Sequence, residues 1–312
     1  MNIFSVSDNI ENRVESERYD LFITASGYES RSRYVAENYK PSSERCVVLG
    51  FEEHRESCAR SINDEFYRNN NFDYRCVSGN HSLKAERIYN RLVTGITNKE
   101  IKVLVDVTSM TRSWYGGIIK SMIASESIDR IEVDFVYSPA RYTASIDAYP
   151  PNEVVGHVAG FSAISLPDLP SVLIIGIGKE KGRAVGLCGY LDPSRTIAFI
   201  PQSGIDVRYD DEAIEGNSDV LKHISEEDIY YYSVTDPLNA IKKLESVVLG
   251  CKREWRPVLA TFGPKIFGLC CFLVASQYRD VSVWRVSAAT SEDPVDRQAA
   301  GVITGLSTVW LA

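Results

Sequence analysis

Histidine is scarce in this chain, with four in 312 residues, and none stands at a metal-ligand spacing from another candidate donor. That pattern argues against a resident metal and leaves none expected. The seven cysteines, Cys46, Cys58, Cys76, Cys188, Cys251, Cys270 and Cys271, contain no CxxC pair and are odd in number. Mostly apolar neighbours make them reduced, buried thiols rather than a disulfide framework or a zinc site. No apolar run approaches the roughly 18 residues of a membrane span. The opening segment carries Asp8, Glu11, Glu15 and Glu17, which is unlike a secretory leader, so a cytoplasmic protein is expected. Positive charge is in deficit: Lys and Arg number 34 against 42 Asp and Glu, a net charge of −8. A long nucleic-acid duplex needs clustered cations and is therefore an unsuitable partner, whereas a small anion in a local basic pocket is not excluded. The 44% hydrophobic and 24% charged content is that of a globular chain and excludes disorder.

What the chain does have is internal similarity. The stretch 156–166, GHVAGFSAISL, is answered by 301–311, GVITGLSTVWL. Upstream of each copy, 21–29 (LFITASGYE) parallels 172–180 (VLIIGIGKE), and 103–109 (VLVDVTS) parallels 258–264 (VLATFGP). Three matches in one order at a separation of about 150 residues are what a duplication produces. Two domains are expected, 1–167 and 168–312, joined by a short stiff linker at 165–171 that holds Pro167 and Pro170.

Strand-like runs fall at 21–25, 46–51, 72–77, 103–107 and 131–137, with helical patterns between them at 30–39, 54–69, 82–97 and 112–125. In the second half the strands are expected at 171–175, 196–200, 229–234, 258–262 and 281–286, with helices at 182–190, 237–249 and 265–278. Strict alternation means parallel strands with crossover helices. The fold class is α/β: tandem duplicated Rossmann-like domains, each a mainly parallel five- to six-stranded sheet with helices on both faces. Each half then ends in its glycine-bearing copy as a sixth, edge strand or hairpin arm. The C-terminal strand looks exposed and able to pair with another chain.

Ligands of such sheets sit outside the carboxyl ends of the strands, where strand order reverses. This selects two loops in the first half: 26–33, with Ser26, Gly27, Tyr28, Glu29 and Arg31, and 106–113, with Asp106, Thr108, Ser109, Thr111 and Arg112. Hydroxyls at a helix start, together with the dipole and a planar guanidinium, suit an anion. Each hydroxyl also reads as an ordinary N-cap, and Asp106 as a structural brace. Arg31, Arg33 and Arg112 converge on this crevice in the topology. Tyr137 and Tyr142 offer rings for a base or for rim packing, Glu52 and Glu53 lie where a ribose would, and His81 reads as a surface residue. The second half offers Gly176, Gly178 and Lys179, and then Gly263, Pro264 and Lys265 in place of the hydroxyl-rich loop, so the two crevices differ chemically.

With these motifs the chain resembles the CRISPR-associated Rossmann-fold (CARF/SAVED-like) nucleotide-sensing domains of bacterial defence systems. The similar segments are 25–31 and 106–112, with 176–181 and 263–265 as second-half counterparts. The usual Thr-Gly-Gly-Thr-Lys turn is Thr108-Ser109-Met110-Thr111-Arg112 here. No nuclease, HEPN, protease or DNA-binding module is read in the chain. The resemblance thus implies a nucleotide-binding sensor or regulatory subunit of antiviral defence that passes its signal to a separate effector protein. Arg31, Thr108, Ser109 and Arg112 would hold phosphates, Tyr28 or Tyr137 a base. A hydrolase of a nucleotide or N-glycosidic bond, with Asp106, Glu29 or Glu52 as acid or base, is the competing class, and a scaffold subunit with vestigial pockets is the third. No cofactor is expected.

Overall fold

Apolar residues at consecutive positions, rather than alternating ones, mark strands covered on both faces. Leu21–Ser26 is such a run, and every one of its six residues is buried. The computed structural model, which describes residues 1–79, 82–144, 152–165, 168–287 and 294–312, builds an α/β chain around strands of this kind. The chain forms two compact units, Met1–Arg141 with Asp293–Ala312, and Tyr142–Glu292.

The first unit runs β1 (Asn2–Ser7), α1 (Ile10–Ser16), β2 (Arg18–Tyr19), β3 (Leu21–Ser26), a 3-10 turn at Ser30–Arg33, α2 (Tyr34–Asn38), β4 (Ser42–Ser43), β5 (Cys46–Phe51), α3 (Arg60–Asn69), β6 (Asp73–Val77), α4 (Ser82–Thr94), β7 (Glu100–Asp106), α5 (Arg112–Ile123) and β8 (Arg130–Tyr137). The second unit continues with β9 (Val154–His157), β10 (Ser171–Gly176), α6 (Arg183–Leu191), β11 (Arg195–Gln202), α7 (Val207–Gly216), α8 (Ser218–Leu221), β12 (Ile229–Ser233), α9 (Pro237–Cys251), β13 (Arg256–Thr261), α10 (Lys265–Gln277) and β14 (Ser282–Ser287). The last strand, β15 (Thr304–Leu311), returns to the first unit.

The first sheet has seven strands in the order β1-β15-β8-β7-β3-β5-β6, parallel from β8 to β6, with β15 antiparallel to both β8 and β1. The second has six, β12-β11-β10-β13-β14-β9, parallel except for β9. In the first unit α1, α2 and α3 bury Val14, Val35 and Tyr67 against Phe22, Val48, Leu104 and Val136. In the second, α6, α7 and α8 bury Leu187, Ala213 and Val220 against Leu173, Ile175, Ala198 and Ala260.

Five expectations are corrected. The first sheet has seven strands rather than five or six, because β1 pairs with the outer side of the returning β15. The units divide at 141/142 and again at 292/293 rather than at 167/168, because each antiparallel strand joins the other half's sheet. Of the midpoint copy, only the pair Gly156 and His157 lies in a strand, and that strand pairs with β14 of the second unit. The remainder described, 158–165, is not strand. The C-terminal copy is no exposed edge: β15 lies between β1 and β8, with Thr304, Gly305, Leu306, Ser307 and Thr308 all buried. The helix expected over 54–69 begins only at Arg60. His81 and residues 166 and 167 of the expected linker lie outside the described residues.

Candidate functional site

Strand order reverses in the first sheet at β3 and β7, which lead away from one another along the sheet. The loops leaving their carboxyl ends touch: an ideal Cβ on Gly27 would lie 3.2 Å from both Cβ and Oγ of Ser109. The first of these loops is folded by α3 and by its own serine. Ser32 Oγ donates to Ala25 O at 2.7 Å and accepts from Gly27 N at 2.9 Å. Asn63 Nδ2 donates to Gly27 O and to Glu29 O, both at 2.9 Å. Ser26 Oγ donates to Asp64 Oδ1 at 2.5 Å, where Arg60 Nε (2.8 Å) and Tyr74 OH (2.6 Å) also converge. Ser26 therefore ties strand to helix.

The second loop starts from Asp106, 1% exposed. Its carboxylate accepts from Thr108 N at 2.9 Å and from Thr24 Oγ1 at 3.1 Å, which is the bracing role. Thr108 Oγ1 accepts from Ser138 N at 2.9 Å and so joins this loop to the one after β8. Thr111 is the N-cap of α5: its hydroxyl accepts from Trp114 N at 3.3 Å and donates to Gly79 O at 3.0 Å. Ser109 differs from these. It is 9% exposed, and its Oγ is buried with no hydrogen-bond partner among the described residues. Arg112, half-buried, is the first residue of α5. The positive end of a twelve-residue helix and a desolvated, unsatisfied hydroxyl thus meet beside Gly27.

Arg31 is placed inside the protein rather than toward a ligand. Its Nε donates to Glu29 Oε2 at 2.6 Å, and its Nη1 donates to Tyr137 OH at 3.2 Å and to Ser138 O at 2.8 Å. Burial works against the Arg31 cation, but Glu29 and Tyr137 outweigh it and hold the guanidinium firmly protonated. Its carbon lies 5.5 Å from the centroid of the Tyr137 ring, and Tyr137 is 6% exposed. Tyr137 is therefore not a surface for a base. Arg33 donates to Glu37 Oε2 and Asn63 Oδ1. Tyr28 stands edge-on to His54, with centroids 5.8 Å apart.

The segment before β15 completes this wall, a feature the sequence reading missed. Arg297 Nη1 donates to Glu29 Oε1 at 2.7 Å, and Arg297 O accepts from Arg31 N at 3.2 Å. Asp296 accepts from Ser30 N and Ser30 Oγ, each at 2.6 Å, and Ala299 bridges Ala140. No local signal marks Asp296 or Arg297, since their partners lie far earlier in the chain.

On the β5 side, Glu53 accepts from Ser78 Oγ at 2.5 Å and Gly79 N at 3.0 Å. Burial raises this carboxyl, but those two donors outweigh it and hold the group below its usual value. Glu52 is at the rim, paired with Lys84 at 2.6 Å. Two of the three candidate acids thus have settled tasks, Asp106 bracing a loop and Glu29 joining two guanidiniums, while Glu52 lies on the surface.

In the second unit the corresponding loops are pressed together. An added Cβ on Gly178 would sit 2.2 Å from Phe262 O, and one on Gly263 would sit 2.3 Å from Ile177 O. These glycines permit backbone contact. Lys179 Nζ donates to Thr143 O, pairs with Glu212 at 3.1 Å and lies 4.9 Å from the Tyr142 ring and 5.4 Å from the Tyr209 ring. Lys265 begins α10, whose N-cap is Pro264.

Among the described residues no three His, Cys, Asp or Glu side chains are grouped to hold a metal ion, and no helix is long and apolar enough to cross a membrane. No protein-family model matches this chain, and no curated protein matches it.

Proposed function

We propose that the first unit binds a small anionic ligand of nucleotide type in the crevice between the loops after β3 and β7, and that the chain is a sensor or regulatory subunit acting on a separate effector protein. In this reading the two units are diverged copies of one Rossmann-like domain, which accounts for their shared strand order. The observation that carries it is the Ser109 hydroxyl, buried just before α5 and without a hydrogen-bond partner among the described residues. An unmade hydrogen bond of this kind costs about 1–3 kcal/mol, and a phosphate oxygen at the positive end of the helix would recover it. Arg112 supplies the cation and Thr111 the cap that fixes the helix start. The prior commitments of Asp106 and Glu29 favour binding over hydrolysis, because neither is left to move a proton without dismantling the site, while Glu52 stands outside it in an exposed pair with Lys84. The closed crevice of the second unit fits a structural copy. The defence setting rests on the family resemblance.

The test is a thermal-shift screen against nucleotides, cyclic dinucleotides, short oligoadenylates and NAD, followed by mass spectrometry of the ligand. Wild type is compared with Arg112→Ala and Ser109→Ala. The expected result is a stabilised wild type with the ligand recovered intact, and loss of the shift in both variants. Ser109→Ala by itself should melt no lower than wild type, since it removes an unsatisfied group. A chemically altered ligand would replace the sensor with an enzyme. No shift with any compound would leave a scaffold.

A further inference from the structure

Phe51 closes β5 at the same end of the sheet and is half-buried. Its ring stacks on Trp114, with centroids 4.3 Å apart and planes 25° apart. Trp114 is fully buried, and its Nε1 donates to Ser78 O at 3.1 Å, so the lower ring of the stack is immobile. The chain approaches the Phe51 ring from two other loops, and both bring glycine. An ideal Cβ on Gly79 would lie 3.2 Å from Cε1, and one on Gly27 would lie 3.8 Å from Cε2. At those two positions no side chain covers the ring, and Gly27 itself adjoins Ser109 on its other side. Phe51, Gly27 and Ser109 are therefore contiguous and lead to the start of α5, with Phe51 the part-exposed member.

We infer that Phe51 is the stacking platform for the ligand's aromatic base, with the phosphate end at Ser109 and Arg112; this rests on the reading of the crevice as an anion site. Tyr137 is unsuited to the task because its ring and hydroxyl belong to Arg31. A ring backed by a second fixed ring binds a planar base without rearrangement. Because every base has a π face, such a platform selects bases over bare phosphates rather than one base over another.

Calorimetric titration with adenosine diphosphate, the diadenylate pApA and inorganic pyrophosphate tests this, using wild type, Phe51→Leu, Phe51→Met and Phe51→Tyr. Wild type is expected to bind both adenylates more tightly than pyrophosphate. Leu or Met should weaken adenylate binding about tenfold or more, in line with the loss of one stacked base, and leave pyrophosphate unchanged. Tyr, which keeps the aromatic face, should retain the preference. The Met variant serves if Leu collapses the stack. A folded Leu or Met variant that keeps the wild-type preference would overturn the platform and leave the anion site standing. Failure of wild type to bind any of the three would remove the anion site and the platform with it.

Discussion

Glu29 Oε2 accepts from Arg31 Nε at 2.6 Å across a single residue, and both side chains are nearly fully buried. The other oxygen of Glu29 holds Arg297, 268 residues further along the chain. One carboxylate therefore neutralises the guanidinium of the turn after β3 and anchors the segment that leads into the last strand. Removing a partner from a buried ion pair strands the remaining charge, at a cost of about 3–5 kcal/mol. Glu29→Ala should lower the unfolding free energy extrapolated from urea denaturation by that much. Arg297→Ala, whose side chain is 39% exposed, should cost about 1 kcal/mol or less. A Glu29→Ala protein as stable as wild type would mean that Arg31 is neutralised by some other group.

The return of β15 to the first sheet depends on one glycine. Gly305 pairs with Val136, and an ideal Cβ at that position would lie 1.9 Å from the carbonyl oxygen of Phe135 and 3.1 Å from Ile10 Cγ1. A backbone oxygen within a ladder has nowhere to retreat. Gly305→Ala should destabilise the protein by at least the roughly 1–3 kcal/mol of ordinary overpacking. Gly250, within α9 and with nothing inside 4 Å of an added Cβ, gives the contrasting control. There alanine should stabilise by up to about 1 kcal/mol through helix propensity. Equal melting temperatures for the two variants would contradict the interior placement of β15.

The parallel strands were legible because burial on both faces leaves an unbroken apolar run. The expected 46–51 coincides with β5, and 21–25 falls one residue short of β3. β1 escaped because Asn2–Ser7 is largely exposed and carries no such run. α7 escaped because its apolar residues do not mark a buried face: Val207 is 67% exposed and Ile214 39%. The crossing of the two antiparallel strands was beyond local reading, since a strand's composition gives its burial but not the sheet it joins. The same limit applied at the crevice. The rule for reversed strand order led directly to the loops of Gly27 and Ser109, while the inward placement of Arg31 depended on Tyr137 and Ser138, 106 and 107 residues away, to which no short motif points.

The cysteines, expected to be buried throughout, divide by position. Cys58 and Cys76 are exposed, Cys46 and Cys188 are half-buried, and Cys251, Cys270 and Cys271 are buried. The thiolate is the reactive form, and an apolar surround disfavours it. Burial pushes the Cys270 thiol up to about 12, and that of Cys251 is raised for the same cause. Titration of the native protein with a disulfide reagent at pH 8 should therefore give two fast thiols, assigned by their loss in Cys58→Ser and Cys76→Ser. Cys46 and Cys188, also raised by burial, should follow slowly. The three on α9 and α10 should react only when the second unit unfolds, so their rate should track denaturant rather than moderate changes of pH. Fast native labelling of Cys270 would place α10 at a surface and contradict the burial of that thiol.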